Sequence, residues 1–291
     1  MKYTIAIVGS TGFIGTNLCK KLQTDCNLIP ITRSMLDLRD ESNTIATFKK
    51  IQPHIIVNAA HTGVNSRIDY SSNYLYDNLK IVTNILEGAR HIKQLKKIIF
   101  LGSSLEYQDT KKPIDEKTSL QPKNVYATTK MLSSMLSLNL ARQWGLPFLL
   151  LRPFNLYGPY DTKSVICYIG HSLLKNRSVK LTKGEQYRDY LFIDDFVAIF
   201  KQIISHISLF DNYDVFNIGS GKATQLSTIF KTVYDIMGRQ YDYEEIPYPQ
   251  NEYWHNVADI TKIKTIIDFP ECTPTSKGVE RTLLWIQQSQ K

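Results

Sequence analysis

Tyr126 and Lys130 stand four residues apart, the spacing that puts two side chains on one face of an α-helix. A free phenol ionises at about 10 and is a weak acid–base group at neutral pH. An ammonium beside it stabilises the phenolate and brings that value down. A serine hydroxyl at the end of a preceding strand can hydrogen-bond the same substrate oxygen, and Gly102-Ser103-Ser104 stands at such an end, after the apolar run Ile98 to Leu101. The trio can give or take a proton at a carbonyl or hydroxyl while a nicotinamide moves hydride. A Tyr-x-x-x-Lys spacing also describes an ordinary surface pair, so the elements around it decide.

Those elements begin at the N-terminus. Ile5 to Val8 reads as a buried strand that ends at Gly9, with Gly12 and Gly15 following as an apolar, helix-spaced segment begins. A helix start offers unpaired N–H groups and the positive end of a dipole, which suit a pyrophosphate. Glycine lets the turn take unusual backbone angles and lets phosphates come close. The spacing is G-x-x-G-x-x-G, not the commoner G-x-G-x-x-G. Gly9, Thr11, Gly12, Phe13, Ile14 and Gly15 are the candidate contacts to a dinucleotide.

Leu28 to Thr32 reads as the second strand and closes at Arg33. An acidic residue here would accept hydrogen bonds from the adenine ribose; Arg33 instead offers a cation to a 2′-phosphate, favouring NADP over NAD. Leu36-Asp37-Leu38 reads as a short edge segment in which Asp37 accepts a bond from the adenine amino group, with Leu38 beside it. A helix from Ser42 to Ile51 precedes the strand Ile55 to Ala60, whose small ends Ala59 and Ala60 let a cofactor cross the sheet edge. A helix from Asn78 to Ile92 carries Asn78 on an apolar face, where it needs partners. The helix from Tyr126 to Gln143 and the strand Phe148 to Leu151 continue the alternation. The expected fold is α/β, a doubly wound parallel sheet of the Rossmann kind.

From about Pro159 the rhythm changes. A helix from Ser164 to Asn176, a helix from Phe192 to Ile204 opened by Asp194 and Asp195 as capping candidates, and a strand from Val215 to Ile218 are expected. The predicted organisation is a dinucleotide-binding domain over 1–160, to which 189–222 return. A second, smaller α/β substrate domain is expected over 161–188 and 223–291. Trp144, Trp254 and Trp285 read as packing residues.

A formal net charge of +8 suits anionic ligands. The basic residues are scattered, with no stripe of interleaved aromatics, so no nucleic-acid partner is expected. No apolar run approaches the ~20 residues that span a bilayer, and the immediate first strand leaves no room for a signal peptide. Cys19, Cys26, Cys167 and Cys272 have no metal-ligand spacing. Reduced thiols, no metal and a cytoplasmic location are expected.

These features together resemble the extended short-chain dehydrogenase/reductase family, the NAD(P)-dependent nucleotide-sugar epimerases, dehydratases and reductases. The resemblance covers nearly the whole chain. It rests on the glycine turn, the Asn-Ala-Ala strand end, Asn78, the serine pair, Tyr126 with Lys130, Arg152-Pro-Phe-Asn-Leu-Tyr-Gly-Pro159 and the Arg188-Asp189 region. It implies an N-terminal NAD(P) domain and a C-terminal domain that grips a nucleoside-diphosphate sugar. Within its S-x-x-x-Y element, which ends here at Tyr107, it selects Ser103 over Ser104 as catalytic. It places Phe154 and Asn155 near the nicotinamide and sugar, and Arg188 on the sugar's diphosphate; a surface pair of Arg188 with Asp189 is the alternative.

Departures from subfamily patterns bear on the reaction. Sugar 4,6-dehydratases place an acid two residues after the catalytic Ser/Thr; that position is Leu105, and Glu106 takes it only if Ser104 is catalytic. The stretch from Asp37 to Tyr107 looks like the GDP-fucose synthases and dTDP-4-dehydrorhamnose reductases. The epimerising Cys and His of the fucose synthases are missing, with Leu105 at the first place and Lys163-Ser164-Val165 near the second. Gly-Glu-Gln-Tyr-Arg-Asp, ending at Asp189, looks like CDP- and dTDP-deoxysugar reductases. A reductase of a nucleoside-diphosphate 4-ketosugar is expected, with a UDP-glucose type 4-epimerase and a non-catalytic NADP-sensing protein as alternatives. A homodimer through the helices around Asn78 to Ile92 and Lys130 to Gln143 follows by family analogy alone.

Overall fold

A computed structural model of the chain describes residues 2–62 and 72–289. Its centre is a six-stranded parallel sheet. The chain enters through β1 (Thr4–Val8), α1 (Phe13–Leu22), β2 (Asn27–Ile31), α2 (Glu41–Ile51), β3 (Ile55–Asn58), α3 (Ser72–Ala89), β4 (Lys97–Leu101), α4 (Val125–Gln143) and β5 (Phe148–Pro153). Then come β6 (Leu156–Tyr157), α5 (Val165–Leu174), β7 (Lys180–Leu181), β8 (Tyr187–Arg188), β9 (Leu191–Phe192), α6 (Ile193–Ser205) and β10 (Asp214–Ile218). The chain closes with β11 (Thr224–Gln225), α7 (Leu226–Ile236), β12 (Glu244–Glu245), β13 (His255–Asn256), α8 (Thr261–Lys264) and α9 (Thr275–Ser289).

The strand order is β2-β1-β3-β4-β5-β10, so the winding reverses between β1 and β3. Such a reversal opens a crevice at the carboxyl ends of the strands. The central strands are mostly apolar because both faces of the sheet are covered. Ile5, Ile7, Ile55, Val57, Ile99, Leu101, Leu149 and Leu151 point to one face, which also packs α1 and α6. Ala6, Val8, Ile56, Ile98, Phe100, Phe148 and Leu150 point to the other, against α2, α3 and α4.

Helix starts are set by side chains as well as by periodicity. Asp40 caps α2 through the Asn43 N–H, and Asn124 caps α4 through the Ala127 N–H. α4 ends at Trp144 and Gly145, whose φ of +65° turns the chain out of the helix. The segment from β9 to β10 returns to the sheet, with β10 on β5 and α6 against α1. α5, α7 and α9 pack on one another, beside short ladders β11-β8-β13, β12-β7 and β6-β9. The first core runs on from the sheet into these helices, through Ile166, Ile229 and Ile286.

Some expectations are corrected. Leu36-Asp37-Leu38 is not an edge strand: both leucines sink into the second core, and Asp37 is taken by the side chain and backbone N–H of Arg39 instead of a ladder. Asp194 and Asp195 do not cap α6. Phe192 stands at the cap position without a side-chain bond, Asp194 pairs with Lys21 and Arg281, and Asp195 accepts from Thr273. Trp254 packs its ring 4.8 Å from that of Tyr248 but stays 46% exposed, outside the core. The helix predicted from Asn78 to Ile92 starts at Ser72 and ends at Ala89, with Ile92 buried beyond it.

Candidate active site

The turn after β1 shows why each glycine is needed. Gly9 has φ of +77°, and a Cβ there would lie 2.6 Å from the Ala60 nitrogen. A Cβ on Gly15 would lie 2.2 Å from the Gly9 carbonyl oxygen, so α1 starts directly against the turn. Gly12 takes the cap position with no side-chain bond, and the first helical bond runs from the Thr16 N–H to the Gly12 carbonyl at 2.8 Å. The N–H groups of Phe13, Ile14 and Gly15 therefore precede the ladder. α1 carries no acid in its first turn. Ser10 is buried, and its hydroxyl has no partner among the described residues.

These residues fit the diphosphate of a dinucleotide: no Cβ fills the cradle, the N–H groups are unspent and a polar hydroxyl waits below. The side chains of Phe13 and Ile14 pack toward the first core, leaving their backbone to face a ligand. A cleft of about 300 Å³ opens from the turn, lined by Gly9, Thr11, Gly12, Ile31, Thr32, Arg33, Leu36, Asp37, Leu38, Arg39, Ala59, Ala60, His61, Thr62 and Ile81.

At its outer end Arg33 is exposed. Arg39, which no sequence motif marks, pairs with Asp37 at 2.7 Å and Asp77 at 3.0 Å. Hydrogen bonds from Arg39 hold Asp37 down to about 2, so its carboxylate already serves a guanidinium. At the inner end Asn78 is 3% exposed and holds the loop after β3. It accepts from the Thr62 N–H at 3.0 Å and donates to the Thr62 hydroxyl and the Tyr74 carbonyl.

Tyr126 and Lys130 lie one turn apart on α4. The Lys130 ammonium donates to the Leu101 carbonyl at 2.9 Å, at the end of β4. Burial brings its pKa down to about 8, opposed by the field of Glu106. His61 meets the Tyr126 ring at right angles, centroids 5.2 Å apart. Burial, then Lys130 and Lys163, push His61 down to about 2, so its imidazole is neutral. A polar cavity of about 20 Å³, lined in part by Asn58, His61, Asn78, Lys130 and Ser133, lies alongside; it is large enough for one water.

The two serines separate. The Ser103 oxygen accepts from the Leu105 N–H at 3.2 Å, leaving its own proton uncommitted among the described residues. Ser104 donates to Asn256 at 2.9 Å, toward the C-terminal segment. Glu106 is fully buried. It accepts from Arg152 at 2.8 Å, from the Ser134 hydroxyl and from the Ser103 N–H.

Phe154 is buried in the first core. Asn155 donates to the Asp189 carbonyl and to Asn256. Arg188 does not pair with Asp189. Its guanidinium meets Glu252, while Asp189 is fully buried and accepts from Ser220, Gly221 and Ala258. Tyr253 donates to the Leu105 carbonyl at 2.8 Å, and Trp254 and His255 donate backbone N–H groups to Asp109. The segment 252–258 thus braces the loop that carries Ser103. Of the residues the sequence left unmarked, His61 follows the small strand end directly and had a local signal; Glu252 and Asn256 had none.

A doubly wound sheet, a glycine cradle at its switch point and a Tyr-x-x-x-Lys helix beside it define a dinucleotide-dependent oxidoreductase fold. Residues 5–219 match the model of the NAD dependent epimerase/dehydratase family. The chain belongs to that family, the extended short-chain dehydrogenase/reductases that act with NAD(P) on nucleotide sugars. Among curated relatives, Protein CapI of Staphylococcus aureus is 24% identical, with 97% of each chain covered. The GDP-L-fucose synthase of Escherichia coli is 26% identical over 81% of this chain and 82% of its own. Among solved structures, UDP-glucose 4-epimerase of Thermotoga maritima with UDP-glucose has a TM-score of 0.88 at 23% identity, covering 99% of this chain and 100% of its own. Among the described residues no helix is long and apolar enough to cross a membrane, and no His, Cys, Asp and Glu cluster could hold a metal.

Proposed function

We propose that the protein reduces the 4-keto group of a nucleoside-diphosphate 6-deoxy-4-keto-hexose, using NADPH, in deoxysugar or polysaccharide biosynthesis. The supporting observation is the fate of Glu106. The acid three residues after Ser103 is spent on Arg152, Ser134 and the Ser103 N–H. Leu105 offers no proton, so neither it nor Glu106 is available to move a proton at carbon five.

The N–H groups of residues 13–15, with Gly9, Thr11 and Gly12, hold the cofactor's diphosphate. Arg33 takes a 2′-phosphate, and Leu38, Ala59 and Ala60 line the path of the cofactor, with the backbone of Phe154 at its far end. When bound, the dihydronicotinamide supplies the hydride. Tyr126 gives its proton to the forming alkoxide, and Ser103 donates a hydrogen bond to the same oxygen. Lys130 keeps the phenol acidic and binds the nicotinamide ribose. Asn78 fixes the loop beneath; Asn155 and Ser104 face the sugar side, and Arg188 takes the sugar's diphosphate. The protein acts in the cytoplasm as a homodimer through α3 and α4, where Tyr76 and Met135 are exposed.

Purified protein mixed with NADPH and a panel of CDP-, dTDP-, GDP- and UDP-linked 4-keto-6-deoxyhexoses should consume NADPH mole for mole with one or more of them. Interconversion of a nucleotide sugar and its 4-epimer with no net NADPH use would refute the reading and favour an epimerase.

A further inference from the structure

His61 belongs to no motif, yet it stands between two tyrosines. Its Nε2 lies 2.8 Å from the Tyr74 hydroxyl on α3. Its ring is nearly perpendicular both to Tyr74, centroids 5.7 Å apart, and to Tyr126, centroids 5.2 Å apart. Perpendicular aromatic pairs are attractive and orient both rings. Tyr74 is itself 6% exposed and holds Asn78 through its carbonyl. The column therefore links α3, the loop after β3 and the helix that carries the phenol.

We propose that His61 is a positioning residue: tethered to Tyr74, it sets the plane of the Tyr126 ring and so the line along which the phenol oxygen meets the sugar carbonyl. This rests on Tyr126 being the proton donor. A phenol that swings about its Cβ leaves its oxygen out of reach, and misplacement by about 1 Å costs on the order of a hundredfold in rate. A neutral imidazole suits the task, because a second cation there would face Lys130 and Lys163.

The test separates ring contact from tether. His61→Phe keeps the perpendicular ring and should hold kcat within about threefold of wild type, while His61→Gln and His61→Ala should lose roughly ten- to a hundredfold. Tyr74→Phe, which releases the imidazole but keeps its ring against Tyr126, should match His61→Phe. In all four, the sugar KM and the NADPH dissociation constant should stay within about twofold. Equal kcat for His61→Gln and wild type overturns the proposal, as does a parallel loss of kcat and NADPH affinity in every variant. If His61→Ala fails to fold, His61→Phe against His61→Gln decides alone. Tyr126→Phe tells the two readings apart: undiminished turnover removes the proton donor itself, whereas an inactive Tyr126→Phe beside unaffected His61 variants removes only the positioning role.

Discussion

The Lys130 ammonium rests on the Leu101 carbonyl, 2.9 Å away, so a side chain of α4 closes the strand that delivers Ser103. The contact holds a half-buried cation one helical turn from Tyr126. Burial brings Lys130 down to about 8, and an unhindered lysine keeps its proton to 10.5. Below about 8 the cation is present; above it the phenol loses its partner. We predict that kcat falls on the alkaline side with a midpoint near 8. Stability moves the other way. Between the two values the unfolded chain binds the proton and the folded chain does not, so this group's contribution rises with pH. Lys130→Met should remove the alkaline limb and cost at least about a hundredfold in kcat. A limb unchanged in that variant would assign it to another group.

Arg33 and Arg39 share the outer end of the cleft but differ in charge balance. Arg39 is matched by Asp37 and Asp77; Arg33 is exposed and makes no ion pair among the described residues. A charge-assisted bond is worth about 1.5–3 kcal/mol. Arg33→Ala should therefore raise the NADPH KM roughly ten- to a hundredfold and leave that for NADH nearly unchanged. Arg39→Ala should weaken both cofactors alike, by loosening the loop. Steady-state kinetics with both nucleotides checks the pair.

Gly15→Ala should abolish dinucleotide binding. Its methyl would need the space of the Gly9 carbonyl, which is backbone and cannot yield. Gly145→Ala is the control: nothing lies within 4 Å of its Cβ, so the cost is the left-handed backbone alone, about 1–2 kcal/mol, with cofactor affinity kept. Calorimetric titration and thermal unfolding of the two variants measure the contrast.

Glu106→Gln breaks a pair whose partners are 4% and 0% exposed. Arg152 is left buried without its counter-charge, a change that costs about 3–5 kcal/mol. Denaturant unfolding should register it. Arg152→Met combined with Glu106→Gln should recover part of the loss, because no buried charge then stands alone.

The sheet and its helices were legible because their signals are local: apolar runs, glycines at a turn, a cap, a four-residue spacing. Tyr126 and Lys130 share a helix, so their relation follows from geometry within one element. The surroundings of Arg188 were not legible. Its carboxylate partner lies 64 residues onward, and the neighbouring Asp189 is drawn inward by N–H groups from two distant segments. Asp37 looked available because Arg39 reaches it by a local bend that no periodicity reports. Trp254 was expected to pack, and it does so against Tyr248 at the surface, just before β13.

Glu252 holds Arg188, takes the Gln186 amide and accepts the Tyr253 N–H. An arriving anion therefore meets an arginine that is already engaged. Seating a diphosphate there is a change of partner, and its strength is the margin between two ion pairs, not the full worth of one. On the proposed reading of Arg188, the Glu252 carboxylate is the competitor that the sugar's diphosphate has to displace.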